Sequence, residues 1–416
     1  MFNHTATSPE KLGWVPSPTS RGTIDIIWSC SLVLFACTWT VLHTNLPEEG
    51  ESIKLITLRK IRWAIWALFS PEIVMVGAAY QWSSARASMK EMQAEGHLHW
   101  KMAHSFFADS GGFLLRCPHY PPFPIQARGI MYLVSQNHIP VPKVTRREIL
   151  DRSKTNKLGK TLALMQSLYL VCQVVARYIQ GLEISSLEIL TLSFLSCTIP
   201  TYIFWLEKPL DCDFPVYIDL NIPISTILAA ADIADETYRC TPLDFVEGTS
   251  LRAWNRRQCF NNAFGLKQQP LRRVPNDSVP VAGPCLALIV WLFTLLHAAI
   301  QVSAWNIEVP TEAENILWRT FSISILLEVF FWGIIDMISI WPGFNYTITL
   351  FWIWEKRTTR TDSFWHRWAL NGLSMAGTLV YFAAKLGLIV LSLTTLRQMP
   401  QSVYNTVRWT SFLPHW

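Results

Sequence analysis

Seven long apolar runs, separated by polar or charged sequence, dominate the chain. They lie at about Thr23–Leu42, Ile61–Trp82, Lys160–Gln180, Ile184–Trp205, Gly283–Trp305, Leu317–Trp341 and Asn371–Leu396. A helix of roughly 20 apolar residues crosses a bilayer. The pattern therefore predicts an all-α, polytopic membrane helix bundle with about seven transmembrane helices, six to eight being compatible. Residues 1–22 read as a polar tail, and residues 23–416 as one transmembrane domain with loops 83–159, 206–282 and 342–370. Ile222–Ala231 and Ile348–Trp354 are apolar but too short to cross. Gly181-Leu182-Glu183 leaves room only for a hairpin turn. Within the first loop, Met89, Met92, Gly96, Trp100, Ala103 and Phe107 recur at helical spacing, so Ser84–Phe107 is expected to lie along the interface as an amphipathic helix.

Two features of composition sharpen this picture. The 20 Trp include Trp63, Trp82, Trp205, Trp305, Trp318 and Trp341 at the edges of apolar runs, where an indole is apolar yet reaches water. The net charge of +5 sits in loops, which argues against nucleic acid as a partner and for the lipid bilayer. The basic residues concentrate in loops 83–159, 206–282 and 342–370. With seven crossings these share a side with the N-terminal tail, so the N-terminus is expected in the cytoplasm and the C-terminus across an endomembrane or the plasma membrane. The sequons at Asn3, Asn276 and Asn345 would then all remain unglycosylated. No basic segment precedes an apolar core at the N-terminus, so the first span reads as a signal anchor. Nine Cys without a CxxC pair do not suggest a disulfide framework; Cys30, Cys37, Cys172, Cys197 and Cys285 fall within apolar runs.

The candidate chemistry comes from ionisable residues inside the spans. Glu72 lies mid-run beside Pro71, Glu328 lies near the middle of the sixth run, and Lys385 lies near the middle of the last. His297, Asp336, Glu188 and Arg177 lie nearer the ends. A carboxylate at such depth costs roughly 2.5–3.5 kcal/mol on insertion scales, so it requires a partner, a proton or a wet cavity. Glu72, Glu328, Asp336 and His297 are the candidate acid–base residues, with Lys385, Glu188 and Arg177 as binding residues. A buried Lys–Glu pair that only joins helices is the structural alternative. Arg177 and its polar neighbours Gln166 and Gln173 place the third run inside the bundle.

Other clusters carry less. Asp211-Cys212-Asp213 and Asp232–Glu236 could hold Mg²⁺ against a diphosphate. They lack the Asn-Asp start and separate helix pairs of UbiA-type prenyltransferases, and read as solvated loop. His97 and His104 share a helix face about 10 Å apart, and His99 points elsewhere, so no metal site is assigned. Lys143–Lys160 reads as juxtamembrane and lipid-facing. No GxSxG, Walker, Rossmann or haem-attachment motif occurs.

The chain resembles a widespread family of fungal integral membrane proteins. The resemblance rests on GWVPSP at Gly13–Pro18, RGTIDIIWSC at Arg21–Cys30, TWTVLHTNLP at Thr38–Pro47, SPEIV at Ser70–Val74, EILDRSK at Glu148–Lys154, KPLD at Lys208–Asp211 and TVRWTSFLPH at Thr406–His415. Some members lie in secondary-metabolite gene clusters. The resemblance implies no mechanism; taken with the acid–base candidates inside the spans, the first expectation is an accessory membrane enzyme acting on a lipophilic small molecule such as a terpenoid or polyketide. A metabolite transporter, a channel or a non-catalytic scaffold is the alternative. No cofactor and no catalytic residue follows from it.

Overall fold

A computed structural model of the chain describes residues 11–16, 21–153, 157–212, 214–232, 241–247, 270–276, 283–339, 346–349, 352–355 and 364–412. In chain order the helices are α1 Thr23–Val41, α2 Ile53–Phe69, α3 Pro71–Ala94, α4 Met102–Asp109, α5 Ala127–Ser135, α6 Arg146–Arg152, α7 Lys157–Ile179, α8 Ser186–Phe204, α9 Ile224–Ala230, α10 Asp244–Glu247, α11 Pro284–Ser303, α12 Glu312–Ser339 and α13 Phe364–Thr394. The short strands are β1 Lys11–Leu12, β2 Phe113–Cys117, β3 Tyr120–Pro124, β4 Val216–Asp219, β5 Tyr346–Thr349, β6 Trp352–Glu355 and β7 Met399–Pro400. The fold is an all-α membrane bundle, as the apolar runs predict. Helices α1, α7, α8, α11, α12 and α13 are each long and apolar enough to cross a bilayer. Their outward faces are apolar, as at Trp28, Phe35, Leu162, Met165, Leu292 and Leu379, while polar side chains such as Thr191, Ser193, Gln301 and Ser322 are buried. That inversion suits a lipid solvent.

The predicted span Ile61–Trp82 is not a straight crossing. Its two halves, α2 and α3, meet at Ser70 with a bend of 110°. Pro71 is the cause. A residue before proline is pushed out of helical conformation, and Ser70 sits at φ −140° and ψ 74°. Proline is then well placed as the first residue of the next helix, where its missing N–H costs nothing.

The tails show what this bend does to the topology. Strands β1 and β7 pair antiparallel, Lys11 opposite Pro400 and Leu12 opposite Met399. The Tyr404 hydroxyl donates to the Gly13 carbonyl at 2.9 Å. Both tails therefore lie at one end of the bundle, which requires an even number of crossings. The six long apolar helices alone satisfy this, a number within the expected six to eight. Glu48, just before α2, pairs with Arg272, and Lys60, in the middle of α2, pairs with Asp211. At the end of α3, Met92 packs beside Trp100. Both outer ends of the bent pair thus reach the end of the bundle away from the tails. The bent pair α2–α3 therefore has re-entrant geometry, entering and leaving the bundle at one end.

On that side stands a compact extramembrane core, where loops 83–159 and 206–282 were expected. Sheet order is β3-β2-β4, antiparallel for β2–β3 and parallel for β2–β4. Trp100, Phe107, Phe113, Phe123, Ile130 and Ile227 fill it, each at most 1% exposed. Burying each such side chain contributes about 1.5–3 kcal/mol. The close fit extends to Gly112, where an added Cβ would lie 2.5 Å from the Phe107 ring. This corrects the expected interfacial helix Ser84–Phe107. Its first part belongs to α3, Gly96 at φ +93° turns the chain, and the apolar residues face protein rather than lipid. The short apolar piece Ile222–Ala231 becomes α9, buried in the same core through Ile224, Ile227 and Leu228.

Candidate functional site

The bend at Ser70 delivers Glu72 to the first turn of α3, where a carboxylate suits the positive end of the helix dipole. The side chain is 2% exposed. Helix α13 supplies two partners one turn apart. Tyr381 donates its hydroxyl to Glu72 Oε1, and the Lys385 ammonium lies 3.5 Å from Oε2. Helix α11 supplies His297, whose Nε2 lies 3.4 Å from the same oxygen. Glu72 Oε2 has ion-pair neighbours but no hydrogen bond.

The imidazole is held in one orientation. Lys385 donates to His297 Nε2, and the Gln301 amide nitrogen lies 3.1 Å from the same atom. Nε2 is thus the acceptor, which leaves Nδ1–H to donate to the Ser193 carbonyl at 2.8 Å. Ser193 in turn donates to the His297 carbonyl at 3.2 Å and accepts from Gln301 at 2.9 Å. Four helices, α3, α8, α11 and α13, therefore converge on one acid, one amine, one imidazole and one phenol. A base whose far nitrogen is fixed by a third group is the arrangement that directional proton transfer needs.

The ligand atoms of Glu72, Cys197 and His297 lie within 4.8 Å of one another, a donor set that could suit zinc. The Lys385 ammonium already donates to His297 Nε2 at the middle of that group and would repel a second cation. The arrangement therefore serves proton transfer better than metal binding.

Of the residues singled out in the sequence, Glu72, His297 and Lys385 come together. Glu328 has a separate environment: it accepts from Trp332 Nε1 at 2.7 Å and lies 3.0 Å from the position of a Cβ on Gly377. Asp336 is on α12, and its side chain falls outside the described residues. Glu188 has a structural role. It closes a capping box with Ser185 at the start of α8 and pairs with Arg21 at 2.5 Å. Arg177 is also structural. It donates to the carbonyls of Glu183, Ser402, Val403 and Asn405, tying α7 to the C-terminal segment. Both side chains are thus engaged within the fold, apart from the Glu72 centre.

His104 uses both ring nitrogens, with Lys101 N–H and the Val144 carbonyl. Asp211 pairs with Lys60, and most of the second acidic stretch lies outside the described residues. Tyr381, Gln301 and Ser193 escaped sequence reading, and Cys197 was noted only as a cysteine within an apolar run. Tyr381 precedes Lys385 by four residues and Gln301 follows His297 by four, so helical spacing could have found these two.

The sequence matches the family described as "Family of unknown function (DUF8562)" over residues 1–233 and 277–416. The chain belongs to that family. The matched segments include every residue of the Glu72 centre. No curated protein and no solved structure matches the chain.

Proposed function

We propose that this protein is a membrane-embedded enzyme that performs acid–base chemistry on a lipophilic small molecule. The observation that carries the reading is the convergence of Glu72, Lys385, His297 and Tyr381 at the bend of a re-entrant helix pair. In this reading Glu72 and His297 exchange a proton with the substrate. Lys385 stabilises negative charge that develops in the transition state, which is worth most where water is excluded. Glu328 and Asp336, on α12, are auxiliary acid–base candidates. The resemblance to fungal membrane proteins, some encoded in secondary-metabolite gene clusters, supports a terpenoid or polyketide as substrate. The concentration of Lys and Arg in the loops of the extramembrane core supports placing that core in the cytoplasm, of either an endomembrane or the plasma membrane. Both tails then lie across the membrane.

A second reading is a proton-coupled metabolite carrier. A broken helix with ionisable groups at the break favours it, because such breaks form ion and substrate sites in transporters. Comparing metabolites in cells and medium, with and without the gene, separates the two. An enzyme leaves a chemically distinct precursor when it is lost. A carrier leaves the same compound trapped inside the cells.

A further inference from the structure

A second charged group stands where the bundle meets the extramembrane core. His43 follows the last turn of α1 and accepts from the Lys160 ammonium at 2.8 Å. Burial first, then the charges of Lys160, Lys208 and Lys60, hold its imidazole well below the usual range, so it stays neutral. Three lysines thus surround one neutral imidazole. Among the described residues, Asp211 is the one carboxylate in ion-pair contact with any of them, through Lys60. Asp109 faces Lys208 beyond ion-pair distance. Lys208 is enclosed, donating to Asn45 and Gln81. Lys60 and Lys160 are not: the Lys60 side chain is 14% exposed and Lys160 is half-buried.

Lys60 lies 4.8 Å above the ring of Trp39. Trp39 ends an outward stripe on α1 formed with Trp28, Leu32 and Phe35, all exposed. Phe35 and Trp39 stack at 6.3 Å. An apolar stripe at lipid depth therefore leads to cations at headgroup depth. Helix α2 adds the exposed Lys54 in its first turn, close to a positive helix end that cations disfavour, and the exposed Arg62 farther along. The carboxylates just before α2 are engaged, Glu48 with Arg272, Glu51 with Arg59 and Glu49 with the Tyr217 hydroxyl, so the exposed cations at this level are complementary to a phosphodiester.

We propose that Lys60, Lys160 and Trp39 form a site for one anionic glycerophospholipid of the adjoining leaflet. Its phosphate contacts the two ammonium groups and an acyl chain lies along the α1 stripe. The test uses the full chain in nanodiscs of phosphatidylcholine, with or without phosphatidylserine. Native mass spectrometry counts retained lipid, and tryptophan fluorescence follows unfolding. Phosphatidylserine is expected to be retained over phosphatidylcholine and to raise the unfolding temperature by at least about 3 °C. Lys60→Gln with Lys160→Gln is expected to abolish both effects. Equal retention of the two lipids, or a double variant that keeps the preference, would overturn the proposal. So would an equal shift from inorganic phosphate alone, which marks a soluble-anion site. If the double variant does not fold, Asp211→Asn decides. Removing that carboxylate is expected to raise phosphatidylserine retention several-fold, and unchanged retention counts against the site.

Discussion

The contact between Glu72 and Lys385 has an energy that can be worked out and measured. At 3.5 Å and an effective dielectric constant of about 20, the attraction is about 5 kcal/mol. Desolvation of both groups offsets much of that, so replacing the pair together by neutral side chains of similar shape is expected to cost little. Removing one partner is different. Lys385→Met strands the Glu72 carboxylate beside a His297 that has lost a donor, and Glu72→Gln strands the ammonium. Each single variant is expected to lose about 3–5 kcal/mol, the range for breaking a buried pair. The double variant should lose much less than the sum, leaving a coupling of at least about 3 kcal/mol. The assay is unfolding of all four proteins in one lipid composition, read by tryptophan fluorescence against denaturant. Single losses that add to within about 0.5 kcal/mol would refute the idea that these groups form one electrostatic unit.

Four further expectations follow from other parts of the fold. Burial lowers Lys208 to about 7 while a nearby Asp109 opposes that fall. The unfolded chain therefore binds more protons above pH 7, and stability should rise from about pH 7 to 10 by at most about 1.4 kcal/mol per unit; Lys208→Met should flatten that slope in pH-dependent melts. Arg177→Gln removes charged donors to Ser402, Val403 and Asn405, so the segment after α13 should become a preferred site in limited proteolysis, while a resistant tail would refute the clamp. A Cβ on Gly387 would lie 2.3 Å from the Phe321 ring, so Gly387→Val should destabilise the α12–α13 contact by about 1–3 kcal/mol, visible as a lower melting temperature. Tags at the two ends should be accessible from the same side of sealed membranes, with Asn3 available for glycosylation and Asn276, whose side-chain oxygen accepts from Asn45 and Arg273, unmodified; tags on opposite sides would refute the re-entrant pair.

Much of the bundle was legible because lipid demands long uninterrupted apolar helices, and such runs stand out in any sequence. Six of the seven runs correspond to long helices with shifted ends. The exception shows the limit. Pro71 announced a break at Ser70, but the size of the bend depends on what packs against both halves. That contact is tertiary: Phe69 and Trp66 both meet Phe382 on α13. The extramembrane core was invisible for a related reason. Its strands are four or five residues long, and β2 and β4 come from distant parts of the chain, so no local period marks them.

For the site, depth in the run singled out Glu72 and Lys385, which the structure places 3.5 Å apart. Depth did not distinguish their centre from Glu328, which bonds along its own helix to Trp332. Nor could it show that Arg177 and Glu188 are consumed by carbonyls and a helix cap. Pairing across helices depends on how each helix is rotated, and rotation is set by packing at glycines such as Gly333 against Trp291 and Gly387 against Phe321.

The central claim is that Glu72 transfers a proton to or from a metabolite. The most direct measurement compares metabolite profiles of cells producing the wild-type protein with cells producing Glu72→Gln at equal membrane abundance. The account expects the variant to match cells that lack the gene, with a chemically distinct precursor accumulating in both. A Glu72→Gln profile indistinguishable from wild type, where deletion of the gene changes the profile, would contradict it.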